Sequence, residues 1–224
     1  MKTIDLLVKY WIILHHPRWW FKGRTMFFLS KIRGEKGNNL QLKQCVFKKS
    51  EISFAGSNHK VAMTGCEVFN CTIFLRGRGH QLIIEEGVRL FNMNIKIIGS
   101  ENIIYIGKRT SMGGGNLISG GNQISIKVGD NCMIADGVDI WSSDTHSVSQ
   151  DGALINEPKS ITIGDHVWLG KDVAVLKGVS IGDDAVIGMR SLVTKDIRPG
   201  TLNAGSPARE IREGIEWTRE NPNN

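Results

Sequence analysis

Between Ile163 and Val193 an aliphatic residue recurs at every sixth position without a miss: Ile163, Leu169, Val175, Ile181, Ile187 and Val193. Four residues after each stands a side chain that is small or β-branched in nearly every case, through Val167, Val173, Val179, Ala185, Ser191 and Ile197. Gly fills the second place at Gly164, Gly170, Gly182 and Gly188. An α-helix repeats every 3.6 residues or so and an ordinary strand every 2, so neither accounts for a strict six-step with two inward positions. Each hexad is one edge of a repeating structure, and three edges close a triangular coil. The aliphatic residue points inward, the fifth-place residue must fit a narrow prism, and Gly permits the bend where edges meet. Stacked coils then pair as parallel strands, each satisfying its neighbour's backbone groups.

The same phase is visible in Val128, Ile134 and Ile140, and again in Ile106, Met112 and Ile118. Farther upstream the unit changes. Gly56-Ser57-Asn58, Gly77-Arg78-Gly79, Gly99-Ser100-Glu101 and Gly120-Gly121-Asn122 recur at spacings of 21, 22 and 21 residues. These predict less regular coils with outward turns inserted, continuing the solenoid back to about residue 50. A composition of 26 Gly, 5 Pro and 7% aromatic residues suits such an architecture better than a helical bundle.

From Ile140 to Ile163 the six-step fails for 23 residues, which marks a loop pushed out of the coil. That loop holds Ser143-Asp144-Thr145-His146-Ser147. A neutral imidazole near pH 7 can take a proton from a hydroxyl, so His146 is a candidate general base; the plainer reading is a turn residue. Asp144 lies two residues earlier, so in an extended segment its carboxylate projects the same way and could orient the imidazole, or it could equally cap a turn. His59 and His80 occupy equivalent places in successive coils, which suits a structural role. His166 falls on an outward hexad position, and so does Trp168, whose indole could contact a ligand, a neighbouring chain or simply an edge.

Charge is uneven along the chain. Residues 1–36 carry eight Lys/Arg and two acids, whereas the remaining 188 residues are balanced at twenty against twenty. A basic segment on a neutral body argues against a nucleic-acid groove and points to an anionic surface near the N-terminus. Ile4, Leu7, Val8, Trp11 and Ile12 follow helical spacing, and the apolar run Leu6–Leu14 is far shorter than the roughly 20 residues a membrane span needs. Trp19-Trp20-Phe21 through Met26-Phe27-Phe28-Leu29 interleaves aromatics with Arg18, Lys22, Arg24 and Lys31, the composition of a helix lying on a membrane surface. The alternative is that these helices pack on the body or on neighbouring subunits. Cys45, Cys66, Cys71 and Cys132 form no C-x-x-C pair, and no cleavable signal peptide is read, so they are expected as reduced core thiols of a cytoplasmic protein.

The expected organisation is a basic amphipathic helical segment over 1–36, a β-helix over 45–205, and a tail over 206–224 with a short helix. Ile163-Gly164-Asp165-His166-Val167-Trp168-Leu169-Gly170, Val193-Thr194-Lys195-Asp196-Ile197 and Gly205-Ser206-Pro207-Ala208-Arg209 together resemble the hexapeptide-repeat acyltransferases, particularly the bacterial sugar O-acetyltransferases that decorate surface polysaccharides. The resemblance covers roughly Gly99 to Arg209. It implies a mainly β fold whose prism winds left-handed, against the right-handed rule for parallel crossovers. It also implies a homotrimer with acetyl-CoA lying in the groove between adjacent β-helices, and His146 as the base that deprotonates an acceptor hydroxyl. By the same resemblance the Gly170 or Lys171 amide is the candidate oxyanion donor, and the outward Trp168 is a candidate contact for the cofactor arm. Lys195 and Arg209 match basic positions near the nucleotide phosphates, and Ser206, Pro207 and Ala208 border that site. Where many relatives have a small-Gly-Ser stretch this chain reads Met189-Arg190-Ser191, so Arg190 either adds a phosphate contact or narrows the groove.

Rival functions on this coil are transfer to serine or an antibiotic, N-acetylation of an amino sugar, and a non-catalytic scaffold. Residues 1–36 are too short for the helical domain of a serine acetyltransferase, and the flat Thr-x-Thr ranks of an ice binder are missing. A zinc-dependent carbonic anhydrase needs three converging histidines, and no matching set stands near His146, so no metal is expected.

Overall fold

The computed structural model describes residues 19–22 and 24–220. Three sheets of 11, 7 and 8 strands, parallel except for the end pairs of the first, form the sides of a prism, the left-handed β-helix that the resemblance implies. Along the first side the inward column runs Phe27, Phe47, Val68, Leu90, Met112, Ile134, Leu169 and Ile187. Along the second it runs Ile52, Ile73, Ile95, Leu117, Ile140, Val175 and Val193. Every one of these residues is at most 2% exposed, so each coil adds a layer of aliphatic packing to one continuous core. The inward residue of the second side is Leu117 rather than Ile118, which stands on the outward rung beside Trp141. From Met112 to Leu117 the phase advances five residues instead of six.

That extra length has a definite location. In the C-terminal coils Ile163 pairs with Ile181 and Leu169 with Ile187, a coil of 18 residues. Upstream, Val61 pairs with Leu82 and Leu82 with Ile104, coils of 21 and 22. Instead of outward turns, the added residues lengthen the second side. Its strands Glu51–Ser57 and Thr72–Arg78 have 7 residues and Met93–Ser100 and Gly115–Asn122 have 8, against 4 in Val138–Trp141 and 3 in Ala174–Leu176. The prism is wide over its N-terminal coils and narrow beyond Asn122. Gly56, Gly77, Gly99 and Gly121 stand in register on the wide side, so Gly121 and not Gly120 continues the column. At Gly77 φ is +121° and a Cβ would lie 1.8 Å from the Gly99 carbonyl oxygen, which no side chain tolerates.

The widened corner is filled by His59 and His80, stacked at 4.9 Å with 5° between ring planes. His59 Nδ1 accepts from the His80 amide at 3.2 Å, and His80 Nδ1 accepts from the Asn102 amide at 3.2 Å. His80 Nε2 lies 2.9 Å from the Arg76 carbonyl oxygen, which makes Nε2–H the donor and the ring neutral. Burial pushes both imidazoles down, His59 to about 4, with the mutual repulsion that protonated His59 and His80 rings would feel adding to it. All four cysteines are buried and free, and the Cys45 and Cys66 sulfurs of adjacent coils lie 3.1 Å apart.

Both ends differ from the expected helices. Trp19–Lys22 pairs antiparallel with Thr25–Phe28, and Met26–Phe28 then pairs with Val46–Lys48, so the solenoid reaches back to Met26 rather than to residue 45 or 50. The spacing of Thr25 and Phe27 is that of a strand: Phe27 faces the core and stacks on Phe47 at 4.9 Å. At the other end Arg209–Glu213 folds back antiparallel on Thr201–Ala204. Arg198 pins it through Glu210 at 2.6 Å and Glu213 at 3.1 Å. A solenoid leaves unpaired amides and carbonyls at each end, and the antiparallel strands there pair with them. No helix occurs among the described residues, and none is long and apolar enough to cross a membrane. The apolar run Leu6–Leu14 lies outside the described residues.

Candidate active site

The long loop leaves the prism at the step between wide and narrow coils. Val138–Trp141 pairs with only the first half of Gly115–Asn122, so the chain departs beside the second half. Ser142 donates its amide to the Ile118 carbonyl at 3.1 Å and accepts the Gly120 amide on its hydroxyl at 3.1 Å. A Cβ at Gly120 would lie 2.9 Å from Ser143 Cβ, so this Gly lets the departing chain lie close. The loop closes with Lys159 donating to the Ser142 carbonyl at 2.9 Å. Its tip is the hairpin of Ser149–Gln150 with Ala153–Leu154, which carries exposed Val148, Leu154 and Ile155.

His146 is exposed in this loop, and its imidazole makes no hydrogen bond among the described residues. Its carbonyl accepts from Asn156 Nδ2 at 2.7 Å. Asp144 does not orient the ring. Its carboxylate takes the Lys177 ammonium and, at 2.9 Å, Asn156 Nδ2, and these two donors, Lys177 foremost, hold it below the usual carboxylate range. The reason is local: Thr145 has φ of +63°, which breaks the extended geometry that would have aligned positions 144 and 146.

The first side holds a second group of expected residues. Trp168 is 37% exposed on the outward column between Met133 and Val186. The Gly170 amide is spent on the Ile187 carbonyl at 2.8 Å and therefore is not an oxyanion donor. The Lys171 amide enters no such bond among the described residues. Arg190 is exposed, with Nε 3.8 Å from Asp172. Ser191 is 2% exposed, its hydroxyl donating to the Gly188 carbonyl at 2.7 Å and accepting the Gly205 amide at 3.1 Å. It braces a corner and presents nothing to a ligand. Lys195, Ala208 and Arg209 do come together, lining a cleft of about 260 Å³ with Arg198 and Asn203. Ser206 and Pro207 lie exposed on the turn beside it.

The tail supplies residues that the sequence reading missed. Trp217 stacks on His166 at 4.1 Å with 7° between planes, donates Nε1–H to the His166 carbonyl at 2.8 Å, and lies 6.0 Å from Trp168. His166 Nδ1 is 2.8 Å from the Asp184 carboxylate. Arg219 bonds the carbonyls of Cys132, Arg109 and Asn131 at 2.6, 3.2 and 3.2 Å, so the tail runs back across three coils beside Trp168. A Trp flanked by polar residues in Glu216-Trp217-Thr218-Arg219 was the available signal. Asn156 and Lys177 carried none. No group of three His, Cys, Asp or Glu that could hold a metal occurs among the described residues.

Comparison with known proteins finds likenesses to part of the chain in sequence and to most of it in fold. The description "Bacterial transferase hexapeptide (six repeats)" matches residues 160–195. The chain is 42% identical over 95 residues to the galactoside O-acetyltransferase of Escherichia coli (strain K12), covering 41% of this chain and 46% of that protein. It is 33% identical over 133 residues to the polysialic acid O-acetyltransferase of Neisseria meningitidis, covering 58% and 60%. The chain thus spans about half the length of the curated relatives it matches. Among solved structures, the polySia specific acetyltransferase NeuO aligns over 90% of this chain and 92% of its own at 28% identity with a TM-score of 0.79. The polysialic acid O-acetyltransferase OatWY aligns over 88% and 90% at 27% identity with a TM-score of 0.74. Over residues 160–195 the strict hexads of the narrow coils are thus similar to the bacterial transferase hexapeptide family, and the whole prism is similar in fold to these two O-acetyltransferases.

Proposed function

We propose that the protein transfers an acetyl group from acetyl-CoA to a hydroxyl of an acidic surface glycan or its precursor, with His146 as general base. The observation that carries this reading is the state of the imidazoles: His59 and His80 are buried, and His166 is tied to Asp184 under Trp217. His146 alone among the described histidines is exposed with both ring nitrogens free. In the reaction His146 takes the hydroxyl proton as the oxygen attacks the thioester carbon. The C–O bond forms, the C–S bond breaks, and the imidazolium returns its proton to the departing thiolate. The Lys171 amide is the remaining donor candidate for the oxyanion. Lys195 and Arg209 suit phosphates of the nucleotide, and Arg190 stands exposed near Lys171, whose carbonyl accepts the Arg190 amide at 2.8 Å.

An acidic acceptor is supported by the charge along the prism. Residues 19–122, the wide coils, hold fifteen Lys/Arg against six acids, and residues 123–220 hold ten against fifteen. Arg76, Arg78 and Lys96 of this basic part stand on the second side, the side from which the His146 loop emerges. The names of the polysialic acid relatives agree with such an acceptor. A homotrimer, as the resemblance implies, would cover the exposed Val148, Leu154, Ile155 and Met189. Four free thiols suit a cytoplasmic setting.

The test is thiol release from acetyl-CoA over polysialic acid, a neutral galactoside and chloramphenicol, comparing wild type with His146→Ala. Turnover on the acidic glycan, lost by about a hundredfold or more in the variant, is the expected result. Unchanged turnover in the variant refutes the base, and preference for chloramphenicol refutes the acceptor.

A further inference from the structure

The loop that carries His146 spans residues 142–160, and an unanchored loop of that length samples many conformations. A catalytic group needs the opposite, since displacement by about 1 Å can cost on the order of a hundredfold in rate. We propose that Lys177 and Asn156 form a clamp that positions His146, an inference that rests on the reading of His146 as the base.

Lys177 belongs to the following coil. It comes one residue after Leu176, which pairs with Trp141, and therefore lies directly beside the point where the loop leaves the prism. Its side chain is only 19% exposed, and its ammonium reaches across both strands of the loop's neck, to the Asp144 carboxylate on one and to the Asn156 carbonyl on the other at 2.9 Å. Asn156 completes the bracket from its own side chain. Nδ2 donates to Asp144 at 2.9 Å and to the His146 carbonyl at 2.7 Å, while Oδ1 accepts the Val148 amide at 2.7 Å.

The amide's two N–H groups and its oxygen are all engaged, and the bonds fall on residues 144, 146 and 148, so the backbone on either side of His146 is fixed. The imidazole itself stays free of partners, as a base awaiting a substrate hydroxyl requires. Asp144 thus serves the histidine through Lys177 and Asn156. No single one of these bonds identifies a function. Their convergence on the five residues centred on the exposed imidazole does.

The experiment compares Lys177→Met, Lys177→Arg, Asn156→Asp and His146→Ala by steady-state kinetics and by amide hydrogen exchange. Lys177→Met and Asn156→Asp, the latter setting a second carboxylate against Asp144, are expected to lower kcat at least tenfold with KM for acetyl-CoA unchanged. Exchange of the Val148 amide should accelerate at least tenfold, and Lys177→Arg should restore most of both. Unchanged Val148 exchange in Lys177→Met overturns the clamp whatever the kinetics. Wild-type kcat in Lys177→Met, with His146→Ala inactive, overturns its role in positioning. Turnover that survives His146→Ala instead removes the base, and the catalytic purpose of the clamp with it.

Discussion

Acidification should weaken the wide half of the prism through one ring. His59 is 1% exposed, its Nδ1 is occupied by the His80 amide, and its Nε2 has no partner among the described residues. A proton added at Nδ1 would meet another donor and put a charge against the stacked His80 ring. The folded imidazole consequently titrates near 4, whereas an unfolded one titrates at 6.5. Above pH 6.5 both states are neutral and the full stability is present. As pH falls from 6.5 toward 4 the unfolded chain takes up a proton that the folded chain refuses, so stability is lost across that window, by about 3 kcal/mol in all. His80, also depressed, adds to the loss with the same sign. The measurement is urea unfolding at several pH values between 7.5 and 4, comparing wild type with His59→Phe, which keeps a stacked ring but cannot titrate. Carboxylates contribute equally to both proteins, so the difference in slope isolates the imidazole. His59→Phe should lose a hydrogen bond worth about 1 kcal/mol at pH 7.5 yet become the more stable protein near pH 4.5. Parallel stability curves for the two proteins would refute the reasoning.

Two further substitutions test how the coils stack. Gly77→Ala places a methyl 1.8 Å from the Gly99 carbonyl at φ of +121°, and should destabilise by more than about 3 kcal/mol or prevent folding, read by thermal melting and soluble yield. Ser119 is fully buried with a hydroxyl that finds no partner among the described residues, so Ser119→Ala should be neutral or stabilising by about 1 kcal/mol in the same urea assay.

The regular coils were legible because each hexad repeats a local rule: an aliphatic inward, a small corner, a glycine at the bend. The break at Ile140 was legible for the same reason, and it located the loop of His146. The wide coils were only half legible. Their glycines showed a period of 21 to 22, but whether the added residues formed outward turns or a longer side depended on register, which the Gly56–Gly77–Gly99–Gly121 column reveals. The ends were misread because Trp19–Leu29 and Arg209–Glu213 are too short to distinguish helix from strand by period, and the open edge of the solenoid decided for strand.

By itself the sequence determined the coil, its core and the place of its one long interruption, since these follow from side chains repeating along the chain. Only the tertiary structure decided what surrounds His146. Lys177 is 31 residues away and Asn156 ten, and they meet Asp144 because stacking places one coil's corner beneath the next coil's exit. The same stacking turns a nearly balanced charge count into a basic half and an acidic half. Position along the axis, set by coil number, gives those charges a direction that their sum does not have.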